Sequence, residues 1–134
     1  MRQGGSGRLD LHELTHVTVL PRTRTFDGYL FYRLYRGVDP RDVAQAHALA
    51  LSSNLQGFQI FNVSAASPFQ PEDTPELLSN AADVILKYYP WAEKEFARRG
   101  WRLPASIDRV YVIGKAQKML GYRPEYNFAS LFVV

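Results

Sequence analysis

His12-Glu13-Leu14-Thr15-His16 reads as H-E-x-x-H. On a helix this spacing puts two imidazoles on one face, able to hold a zinc ion while the glutamate takes a proton from a metal-bound water. A zinc-dependent hydrolase of this type needs a third protein ligand, and no further glutamate occurs until Glu72. The motif also has little room for a helix, because Val17-Thr18-Val19-Leu20 is β-prone and Pro21 follows. Two ordinary histidines on an exposed helix or loop are the plainer reading, and no metal ligand is assigned. Cysteine is absent, which removes disulfides, thiol nucleophiles and zinc–thiolate sites together. Charge is segregated: Glu72 to Glu95 is mainly acidic, whereas Arg98 to Arg123 is basic apart from Asp108. Such a basic stretch suits a phosphate-bearing ligand, or is simply a solvated basic surface. No zinc finger or RNA-binding motif accompanies it, so nucleic acid is not expected as a partner.

The elements that would position these groups divide at about residue 36. With 46% hydrophobic and 22% charged residues, the 134-residue chain is of globular, single-domain type. No apolar run is long enough to span a membrane, and Met1 to Gly7 lacks the apolar core of a secretory signal, so a cytoplasmic protein is expected. Residues 1–36 form a poorly defined N-terminal segment, in which the aromatic run Tyr29 to Tyr35 fits either strand or helix. From residue 37 to 134 the signals sharpen. Asp39-Pro40-Arg41-Asp42 predicts a helix start, with Asp39 as N-cap, Pro40 at the first helical position and Asp42 near the positive helix end. Gly57 to Val63 reads as a buried strand with apolar residues on both faces. Helices follow from Thr74 to about Tyr89 and from Trp91 to Arg99, the second closed by Gly100. Arg109 to Ile113 reads as another strand, Lys115 to Leu120 as a helix closed by Gly121, and a last helical turn begins near Asn127.

Three segments, in this order, resemble the C-terminal part of the extended short-chain dehydrogenase/reductase family, the NAD-dependent epimerases and dehydratases. Tyr35 to His47 is similar to a family strand followed by its D-V-A-x-A-H helix. Phe58-Gln59-Ile60-Phe61-Asn62-Val63 is similar to the F-N-V strand that leads toward the sugar site. Ser106 to Tyr111, with Lys115-Ala116 and Leu120-Gly121-Tyr122-Arg123-Pro124, resembles the closing element with S-K-A and L-G-Y-x-P. The family often carries Asp where Val112 stands and Ser where Gly114 stands. With the alternating elements above, the expected fold is α/β: a fragment of a parallel sheet with flanking helices plus a small helical substrate lobe. The resemblance implies that Arg109 contacts the diphosphate of a nucleotide sugar, a task suited to the guanidinium fork. The alternative is that Arg109 only pairs with Asp108 or another acid. Asn62 is the second candidate contact, unless it ties down a loop, and Asp42 matches a family position read as helix-capping.

Full-length members of that family bind NAD(P) on a Gly-rich turn between a strand and a helix. Gly4-Gly5-Ser6-Gly7 has no apolar strand before it, so no cofactor is expected in this chain alone. Family chemistry also uses a Tyr and a Lys four residues apart on a helix. Tyr111 and Lys115 have that separation but straddle a predicted strand–helix junction in the C-terminal element, so no catalytic residue is assigned. The expectation is a truncated epimerase/dehydratase-like protein that keeps part of a nucleotide-sugar-binding region and is not catalytic alone; the alternatives are a zinc-dependent hydrolase using His12-Glu13-x-x-His16 or a non-catalytic interaction module. The truncated protein would either self-associate or pair with a partner supplying the missing half.

Overall fold

A computed structural model describes residues 25–132, with side chains from residue 30 onward. His12-Glu13-x-x-His16, the Gly4 to Gly7 turn and the Val17 to Leu20 segment lie outside the described residues. Five helices follow one another: α1 (Thr25–Tyr35), α2 (Pro40–Ser52), α3 (Thr74–Tyr88), α4 (Ala92–Arg99) and α5 (Gly114–Leu120). Short 3-10 turns occupy Pro71–Asp73 and Ala129–Leu131. No strand occurs among the described residues, and this overturns the expected α/β fold with its parallel-sheet fragment.

The reason is local. Tyr29 to Tyr35 becomes part of α1, whose Leu30, Phe31 and Leu34 are all buried, a helical spacing. The two β-prone segments find no ladder. Ala65 N–H donates to Gly37 C=O at 2.8 Å and Tyr111 N–H to Tyr35 C=O at 2.7 Å, single bonds that bring each segment to the α1–α2 junction without continuing into a sheet. At that junction Gly37 is required, since a Cβ there would lie 2.7 Å from the Tyr32 carbonyl carbon.

The helix-start reading of Asp39 and Pro40 holds. Asp39 accepts the Arg41 N–H at 3.0 Å and Pro40 occupies the first turn of α2. Asp39 is also the buried anchor of Arg33 (2.7 Å) and of the Arg41 side chain (2.8 and 3.0 Å). Those bonds, the Arg41 side chain first, hold its carboxyl far below the usual range. Asp42 does something different from capping. Its buried carboxylate accepts the backbone N–H groups of Glu125 (2.9 Å) and Tyr126 (3.1 Å). One turn on, Gln45 exchanges two bonds with the Arg123 backbone, at 3.0 and 2.9 Å, so α2 clasps the segment after α5. Arg41 lies over the Tyr126 ring, 3.3 Å from its centroid, and closes the clasp.

Two apolar clusters result. Phe31, Leu34, Phe69, Leu77, Val84, Ile85, Phe96, Ile107 and Phe128 join α1, α3, α4 and the C-terminal turn. Ala46, Ile113, Ala116, Leu120 and Tyr122 join α2 to α5, with the small Ala46 and Ala116 at that packing. No described helix is long and apolar enough to cross a membrane.

Candidate substrate-binding cleft

Arg109 lies on a short span pinned at both ends. On one side, α3 is broken at Asn80, whose φ of −152° and ψ of 62° are non-helical. The bond that would run from Ala81 N–H to Leu77 C=O is replaced by two others. Ala81 N–H donates to Ala105 C=O at 3.0 Å, and Ile107 N–H donates to Leu77 C=O at 2.8 Å. Ile107 is thereby buried against α3. On the other side, the Tyr111 bond to Tyr35 fixes the chain to the end of α1. Asp108 and Arg109 project between these anchors.

The cleft they border has a volume of about 380 Å³. Phe69, Leu77, Ile107 and Val110 line it with apolar surface, and Gln70, Thr74, Asp108 and Arg109 supply its polar groups. A second hollow of about 290 Å³ shares Phe69, Gln70, Val110 and Val112 with it and extends toward Ser67, Tyr111 and Gln117. These volumes are of small-ligand size, and an apolar wall with a few polar groups is the usual composition of a binding cleft. The Gln70 rim is rigidly held. Asp73, buried in the adjacent turn, accepts Gln70 N–H (2.8 Å), Lys87 Nζ (2.8 Å) and the Tyr88 hydroxyl (2.6 Å). Lys87 foremost, then Tyr88 and the Gln70 amide, draw the Asp73 carboxyl down to about 2.

Within the cleft Arg109 donates to Asp108 Oδ2 from Nε at 3.0 Å and from Nη2 at 2.6 Å. Arg109 raises nothing new in charge there; its own pKa is raised and that of Asp108 lowered, chiefly by their mutual hydrogen bonds. Both side chains remain slightly more than half exposed, at 55% and 56%, and pairs in such contact with water contribute little. The guanidinium is therefore weakly held and open to another anion.

The remaining candidates are placed elsewhere. Asn62 is exposed and donates to Val112 C=O at 3.3 Å; it does not line the cleft of Arg109. Lys115 donates from Nζ to Ile60 C=O at 2.9 Å and lies 4.9 Å from the Phe61 ring centroid, whereas Tyr111 is tied through its backbone to Tyr35. Nothing joins the Tyr111 and Lys115 side chains as a proton-transferring pair would require. The basic stretch is dispersed too: Arg98 and Arg99 pair with Glu95 on α4, away from Arg109. Gln70 and Thr74 were not singled out by sequence reasoning, since a lone Gln before Pro71 and a Thr at a helix start carry no pattern pointing to a ligand.

Among the described residues no glycine-rich turn joins a strand to a helix, and the positive-φ glycines Gly57, Gly100 and Gly121 stand far apart in the chain. No group of three or more His, Asp or Glu that could hold a metal occurs among the described residues either. No family model, no curated protein and no solved structure matches the chain.

Proposed function

We propose that this chain corresponds to the substrate-contacting C-terminal part of an NAD-dependent epimerase/dehydratase-like protein, and that it binds the diphosphate of a nucleotide sugar through Arg109 without performing the redox chemistry itself. The observation that carries the reading is Arg109 at the edge of an apolar cleft, backed by two backbone anchors and paired with an exposed Asp108. A second observation supports the family resemblance. The three segments on which it rests are joined by Gln45 with Arg123 and by Lys115 with Ile60. NAD(P) would supply hydride transfer in full-length relatives; the part played here is to hold the phosphates and cover the apolar face of the ligand. Asn62 acts in this reading as the tie that keeps Val112 in the cleft wall.

Titration calorimetry with UDP-glucose and dTDP-glucose tests the proposal. Arg109→Ala should weaken binding at least about tenfold. Asp108→Asn, which frees the guanidinium and removes a negative charge, should strengthen it by about two- to fivefold. Both positions are exposed, so thermal midpoints should stay close to that of the unmodified chain. Absence of binding by the unmodified protein, or equal binding by Arg109→Ala, overturns the assignment.

A further inference from the structure

Trp91, Lys94, Glu95 and Arg98 fall at i, i+3, i+4 and i+7, and so share one face of α4 and its N-cap. With Ala129 and Phe132 of the C-terminal turn they line a hollow of about 460 Å³, a volume of small-ligand size. None of these residues lines the cleft beside Arg109. The wall is aromatic and is fixed from behind. The Trp91 indole stacks on the buried Phe128 ring, with centroids 6.0 Å apart and planes at 20°, and meets Tyr89 at 5.6 Å. Phe132 stands 5.0 Å from Trp91 and is itself packed against Phe96 and Trp101. Despite these neighbours Trp91 stays 38% exposed, so rings held in place present part of their surface to the hollow.

Charge at the rim decides the sign of the occupant. Glu95 is the acid lining the hollow, and it is already shared by Arg98, at 3.1 and 2.8 Å, and by Arg99. Two guanidiniums on one carboxylate leave one positive charge over. Lys94, in no ion pair among the described residues, adds a second, and Glu93 does not line the hollow. Aromatic faces attract cations, but Arg99 already lies 5.1 Å from the Phe132 ring centroid, and the excess charge repels another. Ring surface beside an ammonium and a guanidinium instead suits a ring that carries its own negative charge. We propose that this hollow is a second ligand site, specific for a small aryl carboxylate. The ring packs on Trp91 and Phe132 above Ala129, and the carboxylate meets Lys94 and Arg98. This site stands whether or not Arg109 holds a diphosphate.

Titration calorimetry of the full chain with 2-naphthoate tests this, with an expected Kd of about 0.1–1 mM for a ligand of that size. The uncharged 2-naphthamide should bind at least about fivefold more weakly, and the saturated decalin carboxylate of the same skeleton about threefold more weakly. Lys94→Glu, at an exposed position, should weaken 2-naphthoate about tenfold. Ala129→Phe fills the floor of the hollow and should abolish binding; circular dichroism checks that both variants fold, and Lys94→Glu alone decides if Ala129→Phe does not. Arg109→Ala should bind 2-naphthoate as the unmodified chain does. No saturable binding up to about 5 mM overturns the proposal. Equal binding of the carboxylate and the amide overturns it, as does equal binding of the aromatic and saturated acids. Indifference to Lys94→Glu and Ala129→Phe, or loss of binding in Arg109→Ala, places the ligand elsewhere and overturns it too.

Discussion

Replacing Asp42 with alanine should be among the most damaging single changes available to this fold. The carboxylate is 1% exposed and accepts two backbone N–H groups, from Glu125 at 2.9 Å and Tyr126 at 3.1 Å. Hydrogen bonds to a charged acceptor are worth about 1.5–3 kcal/mol each, and stranding their donors adds a desolvation penalty. The Glu125 side chain is exposed, so water can reach that part of the segment and the lower half of the range applies. Asp42→Ala should therefore lose about 3–5 kcal/mol, a large share of the roughly 5–15 kcal/mol that holds a domain folded. Asp42→Asn keeps one carbonyl acceptor but turns an NH2 toward the second donor, and should lose about 2 kcal/mol. Gln45→Ala removes two bonds to the Arg123 backbone that are open to water, and should lose about 1 kcal/mol. Urea unfolding followed by Trp fluorescence and circular dichroism gives the three values on one scale. If Asp42→Ala lost less than about 1 kcal/mol, or no more than Gln45→Ala, the buried clasp would not be what joins α2 to the C-terminal segment.

Two further outcomes follow from the same kind of reasoning. Asp73, at about 2 when folded against an ordinary 3.8, stabilises the fold fully above pH about 4 and loses that contribution as pH falls toward 2. A urea midpoint measured across this window should decline with acid, and Asp73→Asn should flatten the decline. Gly37→Ala should destabilise by about 1–3 kcal/mol because its Cβ meets backbone that cannot move aside. Gly121→Ala, with φ at 72° but nothing within contact distance, should lose only about 1 kcal/mol; thermal melts of the two variants test that order.

Helix starts and stops were legible because they depend on neighbours in sequence. Asp39 with Pro40, Thr74 with Pro75, and the glycines at the ends of α4 and α5 each act within one turn, and Gly100 and Gly121 do take left-handed conformations at φ of 67° and 72°. The strands were misjudged for the complementary reason. Phe58 to Val63 and Arg109 to Ile113 have β-prone composition, but a strand exists only with a ladder, and the neighbours that decide this are distant in sequence. The break at Asn80 was invisible as well: its cause is a segment some twenty-five residues downstream, and no proline or glycine marks it. Of the candidate site, Arg109 was found through a family-like segment. The aliphatic wall and the Gln70 rim became visible only once α3 and the turn before it were placed against Ile107 and Val110.

The break in α3 also redraws the units in which the molecule opens. Ala81 and Leu77 are partners in an ordinary helix, but here each is satisfied by the chain around Ile107. The first part of α3 is thus stitched to the wall of the cleft, while Ala81, Val84 and Ile85 belong to the buried interior. Protection of the Ala81 and Ile107 amides should rise and fall together, although they lie on different elements, because one opening event exposes both. A ligand seated beside Arg109 would slow exchange at Ala81, in the middle of α3 and beyond the Thr74 and Leu77 that line its cleft.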